Sequence, residues 1–131
     1  MNSTLLGYLA VFFGGGIGAS LRHGVNRMML AAPDKFPLST LVINVLGCLI
    51  MGALAGWFVF RGAQTDQTTR LFLTTGILGG FTTFSAFSLD AALLWQRHDL
   101  MGFFGYVLGT MVLCLVAVFA GLALTRMLLA H

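Results

Sequence analysis

The chain's third apolar segment carries at its centre Gly79-Gly80-Phe81-Thr82-Thr83-Phe84-Ser85-Ala86-Phe87-Ser88. Two glycines, four hydroxyls and three phenylalanines there can handle a small ion; none of them is a strong acid, base or nucleophile. Gly79-Gly80 lowers helix propensity, and Thr82, Thr83 and Ser85 compete for backbone hydrogen bonds. A local helix break is expected. A break frees carbonyls on one half-helix, which suit a small hard cation, and N–H groups on the next, which suit an anion. Phe84 and Phe87 stand three apart and share a face where helix resumes. Aromatic ring edges carry partial positive charge and can contact an anion, although filling a core is the commoner use of phenylalanine.

Other polar groups sit at similar depth. Thr40, Asn44, Gly47 and Met51 recur at helical spacing and share a face. An amide in lipid needs partners, and either an interhelical hydrogen bond or a pore-lining role would satisfy Asn44. Tyr106, Thr110 and Cys114 recur at i, i+4 and i+8 as a weakly polar stripe. Arg22, near the end of the first span, either snorkels to headgroups or stands in an aqueous vestibule and concentrates an anion. Asp90 is the sole acid inside a span, toward its end, where helix-end solvation is expected. Cys48 and Cys114 both fall inside apolar spans, where a disulfide framework is not expected.

These residues need elements to hold them. The chain has 131 residues, 58% hydrophobic and 8% charged, against about 25% charged in soluble domains. It must live in a membrane. At about 20 apolar residues per crossing, it forms a single domain over 1–131 with four helices and no separate soluble domain. The spans are expected at Leu5 to Met28, Leu38 to Phe60, Arg70 to Trp95 and Leu100 to Leu129. The loops fall at Ala31 to Pro37, Arg61 to Thr69 and Gln96 to Asp99. A cleaved signal peptide is not expected, because no Lys or Arg precedes the first apolar run and Gly14-Gly15-Gly16 interrupts it. The fold class is thus an all-α membrane protein whose third helix is broken mid-membrane.

One side of the membrane would hold Arg61, Arg70 and Arg126; the other would hold Arg27, Lys35 and Arg97, with Arg22 nearby. The positive-inside rule needs an asymmetry, and almost none exists. The expectation is insertion in both orientations and an antiparallel dual-topology homodimer, the alternative being a single orientation set by weak cues. Glycines at four-residue spacing, Gly14/Gly18, Gly52/Gly56 and Gly105/Gly109, allow close helix packing. The net charge of +3 is small and scattered, which excludes a nucleic-acid partner.

The chain resembles the small fluoride channels called Fluc, or CrcB, over nearly its whole length. Gly14-Gly15-Gly16-Ile17-Gly18-Ala19-Ser20-Leu21-Arg22 is similar to that family's glycine-rich first helix ending in arginine. Ser39-Thr40-Leu41-Val42-Ile43-Asn44 with Gly47 resembles its G-T-L-x-x-N motif, with Ser39 in the usual glycine's place. Gly76-Ile77-Leu78-Gly79-Gly80-Phe81-Thr82-Thr83-Phe84-Ser85-Ala86-Phe87-Ser88 resembles its long and specific G-x-x-G-G-x-T-T-F-S-T-F-S signature. Ala86 replaces a usual threonine, and Cys114 a frequent serine.

The resemblance implies a homodimer in the cell (inner) membrane, surrounded by lipid, with two antiparallel pores through which fluoride leaves passively and spares the cytoplasm. Fluoride would pass Phe84 and Phe87. Asn44 would be the amide donor, with Thr83 and Ser85 beside it. Tyr106, Thr110 and Cys114 would line the fourth helix's polar track, and Arg22 would sit in the vestibule. Backbone carbonyls of Gly79 and Thr82 would hold a structural sodium ion at the dimer interface. Physics agrees: a strongly hydrated anion needs donors that replace its water without trapping it. The chain has no Glu that could repel it.

The main rival is a small proton-coupled multidrug exporter, also four-helical with dual topology. It needs a buried acid, and Asp90 is expected too near a helix end. A non-transporting scaffold leaves the polar cluster unexplained. An enzyme is least expected: no cluster of His, Cys, Asp or Glu shares a face, and His23, His98 and His131 lie at span ends.

Overall fold

The computed structural model describes residues 2–29, 36–61 and 65–129. Four helical spans are long and apolar enough to cross a membrane: Ser3–Met29, Leu38–Arg61, Gln67–Gln96 and Leu100–Leu129. The expected spans agree within three residues, and the fourth agrees at both ends. Lys35 and most of the expected first loop lie outside the described residues, as do residues 62–64 of the second.

The first two spans are single helices, α1 (Ser3–Met29) and α2 (Leu38–Arg61). The third span is composite. Asp66 caps α3 (Gln67–Leu71) by accepting from the Thr69 N–H at 3.1 Å and the Thr69 hydroxyl at 2.5 Å. A π-helical stretch, Phe72–Leu78, follows, then the short α4 (Gly79–Phe81) and α5 (Phe84–Gln96). The last span is α6 (Leu100–Leu129). A tight turn joins α5 to α6. His98 takes the left-handed conformation there (φ 58°), and Asp99 caps α6 through the Gly102 N–H at 2.8 Å.

Glycines decide which helices touch. A Cβ on Gly14 would lie 2.7 Å from the Phe72 carbonyl oxygen, and one on Gly18 would lie 2.0 Å from that of Ile77. Thus α1 packs backbone-to-backbone on the first half of the third span. A Cβ on Gly52 would lie 2.1 Å from the Val118 carbonyl oxygen, and one on Gly121 would lie 2.2 Å from that of Leu49. Thus α2 packs equally closely on α6. Gly105 and Gly109 meet nothing among the described residues of the chain.

The second half of the third span changes partner. Phe87, Ala91 and Leu94 of α5 bury themselves with Tyr106 of α6. Leu113, Leu115, Val116 and Phe119 on the far side of α6 stay exposed. A helix apolar all round is suited to lipid. The architecture is that of a multi-pass membrane protein, with the third span bridging the α1 side and the α2–α6 side.

Candidate ion pathway

Between α4 and α5, Thr82 (φ −78°, ψ 160°) and Thr83 (φ −155°, ψ 117°) are extended. Two extended residues remove their peptide groups from the helical ladder, and inside lipid those groups need replacement partners. Asn44 of α2 provides them. The Thr83 N–H donates to Asn44 Oδ1 at 2.8 Å, and Asn44 Nδ2 donates to the Thr83 carbonyl at 2.9 Å. A carboxamide carries a donor and an acceptor side by side, so it pairs with both polar groups of one residue. The second Nδ2 proton is left over from this clamp.

The same geometry diverts two helical bonds. The Thr83 N–H goes to Asn44 instead of the Gly79 carbonyl four residues back. The Ala86 N–H goes to Thr83 Oγ1 at 3.1 Å, capping α5, instead of the Thr82 carbonyl. Arg22 reaches in from α1 and its Nη1 donates to that Thr82 carbonyl at 3.4 Å. This is a long bond, made by a half-buried arginine that also reaches the edge of the protein.

Beside the clamp, α2, α5 and α6 enclose a groove of about 310 Å³. Of the residues expected in a pathway, it is lined by Asn44, Thr83, Phe84, Phe87, Thr110 and Cys114, together with Thr82. The lining holds no charged side chain. Gly47 lets the segment approach: a Cβ there would lie 2.2 Å from Thr82 Cγ2. The two phenylalanines touch, with ring centroids 5.4 Å apart and planes tilted 45°. They differ in burial: Phe84 is 78% exposed and Phe87 is 7% exposed. Thr110 Oγ1 is buried with no hydrogen-bond partner among the described residues. A buried hydroxyl without a partner is costly, and this one belongs to a residue on the groove wall.

Three of the expected residues stand off the groove lining. Ser85 Oγ lies 3.2 Å from Thr83 Oγ1 and so touches a lining residue. Arg22 is bonded to the Thr82 carbonyl and is not a lining residue. Tyr106 is fully buried, its ring 5.2 Å from that of Phe87.

Asp90 requires a correction. It is not solvated at a helix end: Thr40 Oγ1 donates to its Oδ2 at 2.6 Å and the Tyr106 hydroxyl at 3.3 Å. This knot joins α2, α5 and α6. Helical spacing places Thr40 on Asn44's face and Tyr106 on Thr110's, but a meeting of three residues on three helices leaves no periodic signal. The π-helical stretch is equally hidden: Thr74, Thr75 and Gly76 weaken helix there, but nothing in Phe72–Leu78 singles out π winding.

The family model described as "CrcB-like protein, Camphor Resistance (CrcB)" matches residues 9–122. The chain is 51% identical to the fluoride-specific ion channel FluC 2 of Nitrobacter hamburgensis, over 92% of this chain and 98% of that one. It is 54% identical to a fluoride-specific ion channel FluC of Rhodopseudomonas palustris, over 91% and 96% of the two chains. A FluC of Methylobacterium nodulans is 50% identical over 93% of this chain and 98% of its own. With a family match across most of its length and relatives at half identity over nearly all of theirs, the chain belongs to the CrcB family.

Proposed function

We propose that the chain is a fluoride-specific channel through which fluoride leaves the cell passively across the inner membrane, lowering its cytoplasmic level. The relatives named above are ion channels by name and not enzymes. The observation that carries the reading is the groove. Its wall combines an amide with an unused N–H, a buried hydroxyl without a partner among the described residues and two phenylalanines, with no acid in the lining.

Fluoride must exchange water for donors that release it again. The free Nδ2 proton of Asn44 and the Thr110 hydroxyl are such donors on facing helices. The start of α5 adds the N–H groups of its first turn, whose dipole favours an anion. Phe84 and Phe87 present ring edges and exclude water around the ion. Arg22, beyond the extended pair, concentrates the anion in a vestibule. Thr83 and Ser85 share one hydroxyl–hydroxyl contact and can offer one donor outward. Tyr106 and Cys114 continue the fourth helix's side of the path.

The break in the third helix lies mid-membrane in this reading. Two copies pair antiparallel, in dual topology, and the unfilled surface at Gly105 and Gly109 is available for such packing. A structural sodium ion fits the residues present. The Gly79 and Thr82 carbonyls both lack their helical donors, and backbone oxygens suit a small hard cation. Arg22 on Thr82 leaves one lone pair of that carbonyl for it. Bound there, sodium would supply fixed positive charge that stabilises the break.

Fluoride efflux from liposomes holding the purified protein, with sodium present, tests the function; absence of efflux defeats it. A reporter fused to the C-terminus tests topology. Signal from only one side of the membrane removes the antiparallel dimer.

A further inference from the structure

Four sulfur side chains line the groove, and of the four the fluoride pathway uses only Cys114. Cys48 and Met51 come from α2, and Met111 and Cys114 from α6. Each helix presents one cysteine and one methionine three residues apart, the spacing that puts side chains on one face. The two faces meet. Gly52 packs against Val118 with their backbones in contact, and α2 and α6 run in the same direction. One turn earlier on both helices, the same register brings Cys48 opposite Cys114. Both thiols border the same groove, and both are free.

Two thiols and two thioethers are soft donors. Such a set selects Cu(I) and other soft monovalent ions over hard or borderline divalent ones. Among the described residues, no three His, Cys, Asp or Glu cluster as a divalent site would need. Both cysteines are half-buried and Met111 is 54% exposed, so an ion in the groove can reach them.

We propose that Cys48, Cys114, Met51 and Met111 form a binding site for a soft monovalent metal ion, Cu(I) or its analogue Ag(I), and that its occupation blocks the groove. On binding, the thiols release protons to the buffer as metal–sulfur bonds form, and no oxidation state changes. The metal lies beside Thr110 and Phe84, where it obstructs a passing anion. The block rests on the channel reading; the binding site does not.

The test has two independent arms. In the first, the purified protein is titrated anaerobically with Cu(I) against a competing chelator, and thiolate-to-metal charge-transfer absorption is recorded. One Cu(I) per chain is expected, with affinity falling at least tenfold in Cys48→Ala and severalfold in the Met51→Leu, Met111→Leu double variant. No charge-transfer band, or equal binding by Cys48→Ala, overturns the site. In the second arm, Ag(I) is added to liposomes with measured fluoride efflux. Efflux is expected to fall at least tenfold and to recover when a thiol chelator is added. Undiminished efflux with Ag(I) bound overturns the block. Absence of efflux before any metal is added refutes the channel reading, while the Cu(I) titration still decides the binding site.

Discussion

Asn44→Ala tests the clamp on which the pathway depends. The substitution removes two hydrogen bonds, at 2.8 and 2.9 Å, and leaves both the N–H and the carbonyl of Thr83 without a partner. Each unsatisfied buried group costs about 1–3 kcal/mol, while hydrogen bonds between membrane helices average about 0.6 kcal/mol. The pair therefore lies between about 1 and 6 kcal/mol. Thr83 borders a groove that water can enter, which places the loss near the lower part, at about 2 kcal/mol. That corresponds to about a 30-fold fall in the population holding Thr83 in place. Asn44 also carries the proposed amide donor, so efflux should fall by at least an order of magnitude. The assay is fluoride efflux from liposomes at matched protein content, using protein that elutes like wild type. Thermal unfolding of the same samples should show a lowered midpoint. Wild-type efflux and wild-type unfolding together would refute the clamp.

Thr110→Val replaces a buried hydroxyl that has no partner among the described residues with an apolar group of the same shape; the protein should gain up to about 1 kcal/mol in unfolding while efflux falls, and unchanged efflux removes Thr110 from the path. Phe84→Ile acts on a 78% exposed ring, so throughput should drop with almost no change in thermal midpoint. Gly52→Ala forces a Cβ to within 2.1 Å of the Val118 carbonyl oxygen, and separation of α2 from α6 should cost about 1–3 kcal/mol, read as a lowered unfolding midpoint. His98→Gly relieves a left-handed residue at φ 58° and should raise the midpoint by the equivalent of about 0.5–1 kcal/mol, with efflux unchanged.

Much of this molecule is legible in its residue order, for a physical reason. Lipid forces every span into helix, so length and hydropathy place the four spans to within a turn. Polar residues at membrane depth are costly, so each one advertises a partner or a path. That logic leads to Asn44, Thr110 and the run from Gly79 to Ser88. It cannot choose the partner. For Asn44 the sequence leaves open an interhelical hydrogen bond or a pore-lining role, and the geometry shows the bond while leaving one proton over. For Asp90, position along a helix is the only guide in the sequence, and it points to solvent; the true partners, Thr40 and Tyr106, lie on other helices. Composition does not single out the π-helical turn, because Thr74, Thr75 and Gly76 weaken helix without favouring one alternative winding.

One residue pair ties the proposed ions together. Asn44 takes the Thr83 N–H, and by taking it releases the Gly79 carbonyl. Thr83, held extended, turns its hydroxyl to the Ala86 N–H, and that releases the Thr82 carbonyl. The two acceptors proposed for sodium are thus by-products of the bond that aims Asn44's remaining proton at the groove. A cation site and an anion donor arise from one choice of partner. It follows that the two cannot be altered independently through Asn44: a variant that loses the clamp no longer holds Thr83 extended, and its residual efflux should show weakened sodium dependence. Substitution of Phe84 or Thr110 touches neither carbonyl and should slow efflux while leaving sodium dependence intact.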